Sequence, residues 1–267
     1  MPLERPLLAV ARLLGRLGLR GERVIEVRGL KLAASTPDRI LALLLTKWGL
    51  LEGGEDRLLR RELKPGQTAL DVGANIGILT MELAGLVGLS GSVYAFEPDP
   101  ENAGLLEKNA RLNGFEQVRV RRAAVSDRNE TARLYLNEDH RGDHRLYDSG
   151  DGRKFREVEM VRLDDELKEL ERLDFIKMDI QGYEGRALDG MKGILSRFAG
   201  VRILCELCPS LLELAGSDPG RFLGEWRALG FVAHRIETDG SATPATPEEL
   251  LAEARKKGYI NLFFKRA

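Results

Sequence analysis

The chain has 267 residues, of which 43% are hydrophobic and 31% are charged, a composition typical of globular proteins. Its 41 Lys and Arg nearly balance 42 Asp and Glu, which gives a formal net charge of -1. Proteins that grip a long polyanion usually carry a basic excess, so this balance disfavours a nucleic-acid substrate. The length suits one large α/β domain with a short addition.

The N-terminal region raises the question of membrane contact. No stretch approaches the roughly 20 uninterrupted apolar residues that span a bilayer, so we expect no transmembrane segment. Residues 6–17 resemble a signal peptide only in part, because Arg12 and Arg16 interrupt the apolar run. We interpret them as a basic amphipathic helix that packs on its own domain or on a second subunit of a homodimer. Because no second Cys pair accompanies Cys205 and Cys208, we expect reduced thiols in a cytoplasmic protein.

The predicted elements divide the chain in two. Residues 1–51 form an extension: the N-terminal helix, a hairpin of strands 23–27 and 30–33, and an apolar helix over 36–48. Residues 52–267 alternate strands with helices, the pattern of a parallel sheet with crossover helices. The predicted strands are 68–72, 92–96, 118–125, 175–178, 201–207, 231–236 and 260–265. The predicted helices are 76–87, 100–113, 184–198, 219–229 and one that begins near 247.

The strongest local signal is an apolar strand that runs through Asp71 into a glycine-containing turn and a helix. Gly73 and Gly77, on either side of Asn75, allow tight turning and close approach of the backbone to a ligand. Their spacing differs from the Gly-x-Gly-x-x-Gly of pyrophosphate-binding loops. A carboxylate at Asp71 suits a cationic ligand instead, such as the sulfonium and ammonium of S-adenosylmethionine, although Asp71 could also cap the helix.

Two further acidic residues follow the next two predicted strands. Glu97 ends the second strand, where a carboxylate can accept hydrogen bonds from both ribose hydroxyls. Asp127, next to Ser126, follows the third strand and could accept from the adenine amino group. Three carboxylates at successive strand ends predict a nucleoside-cofactor site rather than a chance match.

Taken together, these motifs resemble the FkbM family of methyltransferases. The resemblance covers about residues 52–264 and rests on Lys64-Pro65-Gly66, Asp71-Val72-Gly73-Ala74-Asn75-Ile76-Gly77, Phe96-Glu97-Pro98, Ala124-Val125-Ser126-Asp127, Lys177-Met178-Asp179-Ile180-Gln181-Gly182-Tyr183-Glu184 and Asn261-Leu262-Phe263-Phe264. It implies a Rossmann-like class I methyltransferase fold, a seven-stranded, mostly parallel sheet with its last strand antiparallel and helices on both faces. It also implies S-adenosylmethionine as cofactor and a hydroxyl as methyl acceptor. Gln181 stands where the family usually has Glu, and Met178 where a smaller aliphatic residue is common.

The candidate catalytic residues also lie at strand ends. An alcohol is a poor nucleophile at neutral pH, so a base or a metal should assist methyl transfer. Asp179 directly follows the strand 175–178 and could act as base or metal ligand. Glu206, at the end of the strand 201–207, is similarly placed. Glu184 is a further candidate, although an acidic residue in a first helical turn also favours the helix dipole.

A polar insertion at residues 137–145 contains two of the three histidines, His140 and His144. Polar loops over the mouth of a sheet often determine substrate specificity. His144 is our choice for a general base in this insertion. Together with Asp179, His140 and His144 are weak candidates for ligands of a divalent metal, which we do not expect to be required; the remaining interpretation is a solvated loop.

The sequence therefore predicts an S-adenosylmethionine-dependent methyltransferase that methylates a hydroxyl of a small-molecule, sugar or polyketide-like acceptor. Two alternatives keep the same cofactor site but change the acceptor to RNA or to protein. A third is an NAD-dependent oxidoreductase, although the chain lacks the third glycine of a pyrophosphate loop. A non-catalytic adenosyl-binding subunit is the fourth.

Overall fold

The computed structural model describes residues 22–34, 53–137 and 141–266. The predicted helices over residues 6–17 and 36–48 and the candidate ligand His140 lie outside these ranges. The strands are β1 (Arg23–Val27), β2 (Leu30–Ala34), β3 (Thr68–Val72), β4 (Ser92–Phe96), β5 (Val118–Arg121), β6 (Ala124–Val125), β7 (Glu130–Tyr135), β8 (Phe155–Val161), β9 (Phe175–Met178), β10 (Arg202–Leu207), β11 (Phe231–Ile236), β12 (Ala242–Pro244) and β13 (Ile260–Arg266). The helices are α1 (Gly54–Glu62), α2 (Ile78–Val87), α3 (Pro100–Leu112), α4 (Leu163–Glu166), α5 (Glu184–Asp189), α6 (Lys192–Arg197), α7 (Pro209–Leu214), α8 (Pro219–Ala228) and α9 (Pro247–Lys257).

The central sheet has the strand order β12-β11-β13-β10-β9-β3-β4-β5. Strands β5, β4, β3, β9 and β10 run parallel, and β13 is antiparallel to its neighbours β10 and β11. This confirms the mostly parallel Rossmann-like sheet with an antiparallel last strand. The sheet has eight strands among the described residues, one more than predicted, because the short β12 pairs with the edge of β11.

Helices cover both faces of this sheet. Leu204, Phe175 and Phe263 project to one face and pack with apolar side chains of α1 and α2. Ile203, Met178 and Phe264 project to the other face and pack with residues of α5, α6, α8 and α9. Because successive side chains of a strand alternate between faces, these near-continuous apolar runs are buried on both sides.

Two predicted elements are wrong in their extent. The predicted strand 118–125 splits, because the chain leaves the central sheet after Arg121 and Ala124–Val125 pairs with β8 in a separate sheet of order β6-β8-β7. The predicted helix 184–198 is two short helices. It breaks at Gly190, where an added Cβ would lie 1.8 Å from the carbonyl oxygen of Ser126, so the backbones meet too closely for a continuous side-chain-bearing helix.

The predicted hairpin is present as the antiparallel pair β1–β2. Its Leu32 is buried against Met81 of α2 and Ala110 of α3, so the hairpin packs on the α/β domain. None of the helices in the described part of the chain is long and apolar enough to cross a membrane.

Candidate cofactor and active site

The turn after β3 has an unusual backbone. Gly73, Asn75 and Gly77 all have positive φ angles, of 81°, 51° and 90°. Glycine adopts such angles without strain, and Asn tolerates them better than most other residues. The amides of Gly73 and Ala74 both donate to the carbonyl oxygen of Phe96 at 3.0 Å, which fixes the turn against the end of β4.

Gly73 lies directly against the residue that follows β9. An added Cβ at Gly73 would lie 1.9 Å from the carbonyl oxygen of Asp179, a distance that no side chain can occupy. The amide of Asp179 donates to the carbonyl oxygen of Val72 at 3.1 Å. The glycine turn and Asp179 are therefore in backbone contact at the carboxyl edge of the sheet, where ligands of open α/β sheets bind.

Asp71 is completely buried beneath this turn. Its Oδ2 accepts from Thr80 Oγ1 at 2.6 Å, and its Oδ1 lies 3.1 Å from Lys177 Nζ. Lys177 Nζ also donates to the carbonyl oxygen of Gly73 at 2.8 Å. Burial acts to lower the pKa of Lys177, but Asp71, Asp179 and Glu97 together outweigh it and raise the pKa above its usual value. The structure thus supports a buried ion pair under the turn rather than direct contact between Asp71 and a cationic ligand.

Glu97 follows β4 and is 5% exposed. Its Oε2 accepts from the amide of Asn75 at 2.8 Å and its Oε1 from the amide of Asp99 at 2.9 Å. Burial raises the pKa of Glu97 to about 7, although these two backbone hydrogen bonds oppose the rise. Asn102 Nδ2 also donates to Oε1 at 3.5 Å. A carboxylate has about four acceptor sites, so one remains, on Oε2, for a ligand hydroxyl.

Asn75, a predicted cofactor residue, has a clear local role. Its Oδ1 accepts from the amide of Ile76 at 2.6 Å, and its own amide binds Glu97. Asn75 therefore holds the left-handed turn in shape and ties it to Glu97.

Ser126 and Asp127 follow β6 rather than the edge strand β5. Ser126 is fully buried, and its Oγ donates to Asp127 Oδ1 at 2.9 Å. Asp127 Oδ2 accepts from Arg186 of α5 at 3.1 Å. Burial acts to raise the pKa of Asp127, but the hydrogen bonds from Ser126 and Arg186 outweigh it and lower the pKa. The structure therefore presents Asp127 as an ionised, half-buried acceptor.

Asp179 and Glu184 have different environments although five residues apart. Asp179 is half-buried, and its Oδ1 accepts from Gln181 Nε2 at 2.8 Å. Glu184 is 2% exposed, and its Oε1 accepts from the amide of Ile180 at 2.9 Å. Burial raises the pKa of Glu184 to about 7. Glu184 closes the loop that carries Asp179, which gives it a structural role whether or not it meets the substrate.

Residues 141–147, which we name the crossing loop, span the mouth of the sheet. At one end the carbonyl oxygen of Arg141 accepts from Asn102 Nδ2 of α3 at 3.4 Å. At the other end Tyr147 Oη donates to the carbonyl oxygen of Gln181 at 3.1 Å. The crossing loop thereby connects α3 with the loop that carries Asp179, and its contact residue in α3, Asn102, also donates from Nδ2 to Glu97 Oε1 at 3.5 Å.

His144 lies within the crossing loop, with its Nδ1 accepting from the amide of Asn137 at 3.0 Å. Burial lowers the pKa of His144, and although Asp99 opposes this, nearby arginines add to the lowering. A neutral imidazole whose Nδ1 accepts a hydrogen bond carries its proton on Nε2. In this arrangement the Nδ1 lone pair is occupied by the Asn137 amide and Nε2 carries the proton, while the general-base role of His144 stays a prediction.

Glu206 lies in β10 opposite Asn261 of β13 in the antiparallel register. Asn261 Nδ2 donates to Glu55 Oε1 of α1 at 3.1 Å. The parallel register of β9 and β10 pairs Met178 with Cys205, so Asp179 and Glu206 are the next residues along each strand. The structure therefore brings two of the predicted catalytic carboxylates to the same level of the sheet edge.

The candidate metal ligands within the described residues are His144 and Asp179, whereas His140 lies outside them. Among residues 22–34, 53–137 and 141–266, no group of three or more His, Cys, Asp or Glu side chains is arranged to hold a metal ion.

The most informative residue that sequence reasoning missed is Lys177. Its signal was present, because a lysine interrupts the apolar strand 175–178, whose four residues are all buried. A lysine in such a strand requires a buried acidic partner. Only the pairing of β3 with β9, which sets Asp71 opposite Lys177, identifies that partner.

Comparison with known proteins shows related sequences. The model of the methyltransferase FkbM domain matches residues 71–233. The 2-O-methyltransferase NoeI of Sinorhizobium fredii is 30% identical over 152 residues, which make up 50% of this chain and 61% of that protein. The protein-L-isoaspartate O-methyltransferase of Caenorhabditis elegans is 42% identical over 60 residues, 22% of this chain and 27% of that protein. The matches thus cover less than two thirds of either curated relative.

Two solved structures are also similar. TYW2 of M. jannaschii, in complex with AdoMet, has a TM-score of 0.47 and 15% identity, covering 93% of this chain and 88% of that chain. A SAM-dependent methyltransferase from Aquifex aeolicus has a TM-score of 0.45 and 15% identity, covering 85% of this chain and 97% of that chain.

The sheet order, with its antiparallel β13, is that of the class I methyltransferase fold, and the glycine turn lies at the carboxyl edge of its parallel strands. With the domain model matching well over half of its length, the chain belongs to the FkbM methyltransferase family. This membership replaces the alternative of an NAD-dependent oxidoreductase.

Proposed function

We propose that this enzyme methylates a hydroxyl oxygen of a small or glycosylated acceptor, with Asp179 as the group that receives the hydroxyl proton. The observation that carries the proposal is the backbone contact between Gly73 and Asp179, with 1.9 Å between a Cβ built at Gly73 and the Asp179 carbonyl oxygen. This contact brings the carboxylate to the turn that would bind the cofactor.

The described residues fit the proposed cofactor. Glu97 offers a remaining acceptor site on Oε2 for a ribose hydroxyl, and Asp127 offers an ionised acceptor for the adenine amino group. Lys177 pairs with Asp71, and Arg186 pairs with Asp127. Among the described residues, Glu97 and Asp179 are the site carboxylates that have no ion pair with a cationic side chain, so they can offset the charge of the ligand. When bound, S-adenosylmethionine supplies an electrophilic methyl group on its sulfonium.

Asp179 is suited to hold an acceptor hydroxyl. The side-chain Nε2 of Gln181 donates to Asp179 Oδ1, which leaves Oδ2 available to accept a hydrogen bond from a substrate hydroxyl. A carboxylate in that position orients the oxygen and takes up its proton as the carbon–oxygen bond forms. Glu206, at the same level on β10, supplies a second acceptor for a polyhydroxylated substrate.

The choice of acceptor class draws on one relative and on charge. NoeI is named as a 2-O-methyltransferase, and its match covers half of this chain. The chain has a formal net charge of -1, which does not favour RNA. A sugar-like hydroxyl compound also suits a rim of carboxylates, which accept hydrogen bonds from several hydroxyls at once.

Labelled methyl transfer tests the proposal. The full chain is incubated with S-adenosylmethionine carrying a deuterated methyl group and with separated glycan, small-molecule, RNA and protein fractions of a cell extract. We expect the label in the glycan or small-molecule fraction, as a methyl ether that survives alkali. Label in RNA, in protein, or as an alkali-labile ester would contradict the proposal. Asp179→Asn should abolish the transfer, while Asp165→Asn on the exposed α4 should not.

A further inference from the structure

Two asparagines one helical turn apart hold the outer edge of β2. Asn113, at the C-cap of α3, accepts from the Lys31 amide at 2.8 Å and donates to the Lys31 carbonyl oxygen at 2.7 Å. Asn109 of α3 accepts from the Ala33 amide at 2.6 Å and donates to the Ala33 carbonyl oxygen at 3.2 Å. Each side-chain amide thus imitates the backbone of a neighbouring strand, and together they replace the partner that the edge of β2 lacks.

Asn109 also reaches the cofactor turn. Its Nδ2 donates to the carbonyl oxygen of Ile76 at 2.8 Å, between the left-handed residues Asn75 and Gly77. The side chain is completely buried. An asparagine amide has one acceptor oxygen and two N–H donors, and the bonds to Ala33 and Ile76 use both donors. No other residue of this size can make this set of three hydrogen bonds.

The hairpin has a second attachment on the other side of the turn. Arg28, at the tip between β1 and β2, pairs with Glu82 of α2 at 2.9 Å and with Asp56 of α1 at 3.0 Å. Helix α2 begins at Ile78, directly after the cofactor turn. The hairpin is therefore fixed both to the helix that follows the turn and, through Asn109, to the turn itself.

We infer that the hairpin is part of the cofactor site, and that Asn109 is a positioning residue that couples β2 to the turn. Hydrogen bonds from one amide to both segments hold the Ile76 carbonyl, and hence the turn, in the ligand-binding shape. Because coupling between two sites is reciprocal, a cofactor that orders the turn also stabilises the docked hairpin. The inference rests on the proposed binding of cofactor at this turn, but not on the identity of the acceptor.

Hydrogen exchange on the unmodified full chain tests the coupling. Exchange is followed by mass spectrometry with and without saturating S-adenosylhomocysteine. We expect slower exchange at residues 73–77 and also, by at least about fivefold, at residues 30–34, with no change in α9 on the far part of the sheet. Protection of the turn without protection of the hairpin would overturn the inference. Protection of neither segment would instead refute cofactor binding at the turn.

A matched pair of variants gives a second, independent test. Asn109→Asp and Asn113→Asp each remove the donors to β2, but only Asn109→Asp removes the bond to Ile76. We expect Asn109→Asp to weaken S-adenosylhomocysteine binding by about tenfold or more and to raise the KM for cofactor while kcat at saturation changes little. Asn113→Asp should change cofactor affinity less than about threefold. Equal effects of the two substitutions would contradict the special role of Asn109, and if Asn109→Asp does not fold, the exchange result decides.

Discussion

Lys177 and Asp71 form an ion pair of 3.1 Å that is almost completely enclosed beneath the glycine turn. Lys177 joins three parts of the site, because it lies in β9, two residues before Asp179, and also donates to the carbonyl oxygen of Gly73. The pair therefore stabilises the cofactor turn from below and cancels one negative charge of the site.

Removing one member of this pair should be costly. Lys177→Met leaves Asp71 charged and buried, so we expect the free energy of unfolding to fall by about 3–5 kcal/mol. Urea denaturation measures the loss. The double variant Asp71→Asn/Lys177→Met should recover a large part of it, since no uncompensated charge remains. A loss below about 1 kcal/mol for Lys177→Met would show that the two side chains do not depend on each other.

Cofactor affinity should depend on pH through Glu97. Burial raises the pKa of Glu97 to about 7 from its usual value of 4.5, and ribose hydroxyls bind the ionised carboxylate. Protonation on going from pH 8 to pH 6 should therefore weaken S-adenosylhomocysteine binding, by up to about tenfold per unit below the pKa. Calorimetry at several pH values measures this. Glu97→Gln should bind more weakly with a flatter pH profile; an unchanged slope would assign the effect to another group.

The raised pKa of Glu97 also makes the free energy of unfolding depend on pH. The folded protein binds the proton more tightly than the unfolded chain, so this contribution to stability is present at low pH and is lost as pH rises through about 7. Glu97→Gln should therefore lower the unfolding free energy less at pH 5.5 than Glu97→Ala does, because Gln resembles the protonated acid.

The contact between Gly73 and Asp179 leaves no room for a methyl group. In Gly73→Ala the added Cβ would lie 1.9 Å from the Asp179 carbonyl oxygen, at a φ of +81°. We expect loss of detectable cofactor binding and destabilisation of more than about 2 kcal/mol. Gly104→Ala is the matched control, because its Cβ meets nothing within 4 Å and α3 should gain about 0.5–1 kcal/mol. Wild-type affinity in Gly73→Ala would mean that the two strand ends can separate freely.

The side chain of Gln181 contacts that of Asp179, because its Nε2 donates to Asp179 Oδ1 at 2.8 Å. In Gln181→Glu two carboxyl groups would share this site, and the pKa of one of them would rise. The acidic limb of the kcat/KM profile should then move to higher pH by about one unit or more. Gln181→Met, which removes the donor without adding charge, should shift it less. An unmoved profile in Gln181→Glu would argue against Asp179 as the base.

The positions of the site residues could be predicted because strand ends are visible in sequence. Glu97 and Asp179 each directly follow an apolar run that is a strand in the structure. The pairing of Asp71 with Lys177 could not be predicted from the sequence, because it depends on β3 and β9 being neighbours in the sheet. The sequence also suggested that Asp127 follows one continuous third strand, whereas the chain turns at Arg122 and the strand 118–125 divides. Local propensity is the same in both arrangements, so only tertiary pairing distinguishes them.

The hydrogen bonding of His144 is a second feature that the sequence could not predict. The spacing and polarity of the insertion identified His144 as a candidate base, but the choice of ring nitrogen depends on the amide of Asn137, seven residues away. In an irregular loop, no regular spacing along the sequence indicates which residues form hydrogen bonds with each other. The crossing loop itself, from Arg141 to Tyr147, is likewise defined by where its two ends bind.

Calorimetric titration with S-adenosylhomocysteine measures the central claim, that the turn after β3 and the carboxylate after β4 form an adenosyl-binding site. The wild-type chain should bind one equivalent with saturable heat, and Glu97→Ala should bind at least about tenfold more weakly, because it loses hydrogen bonds to a charged acceptor. Asp179→Asn should retain the wild-type affinity while methyl transfer stops. No heat at millimolar ligand, or equal affinity in wild type and Glu97→Ala, would contradict the account.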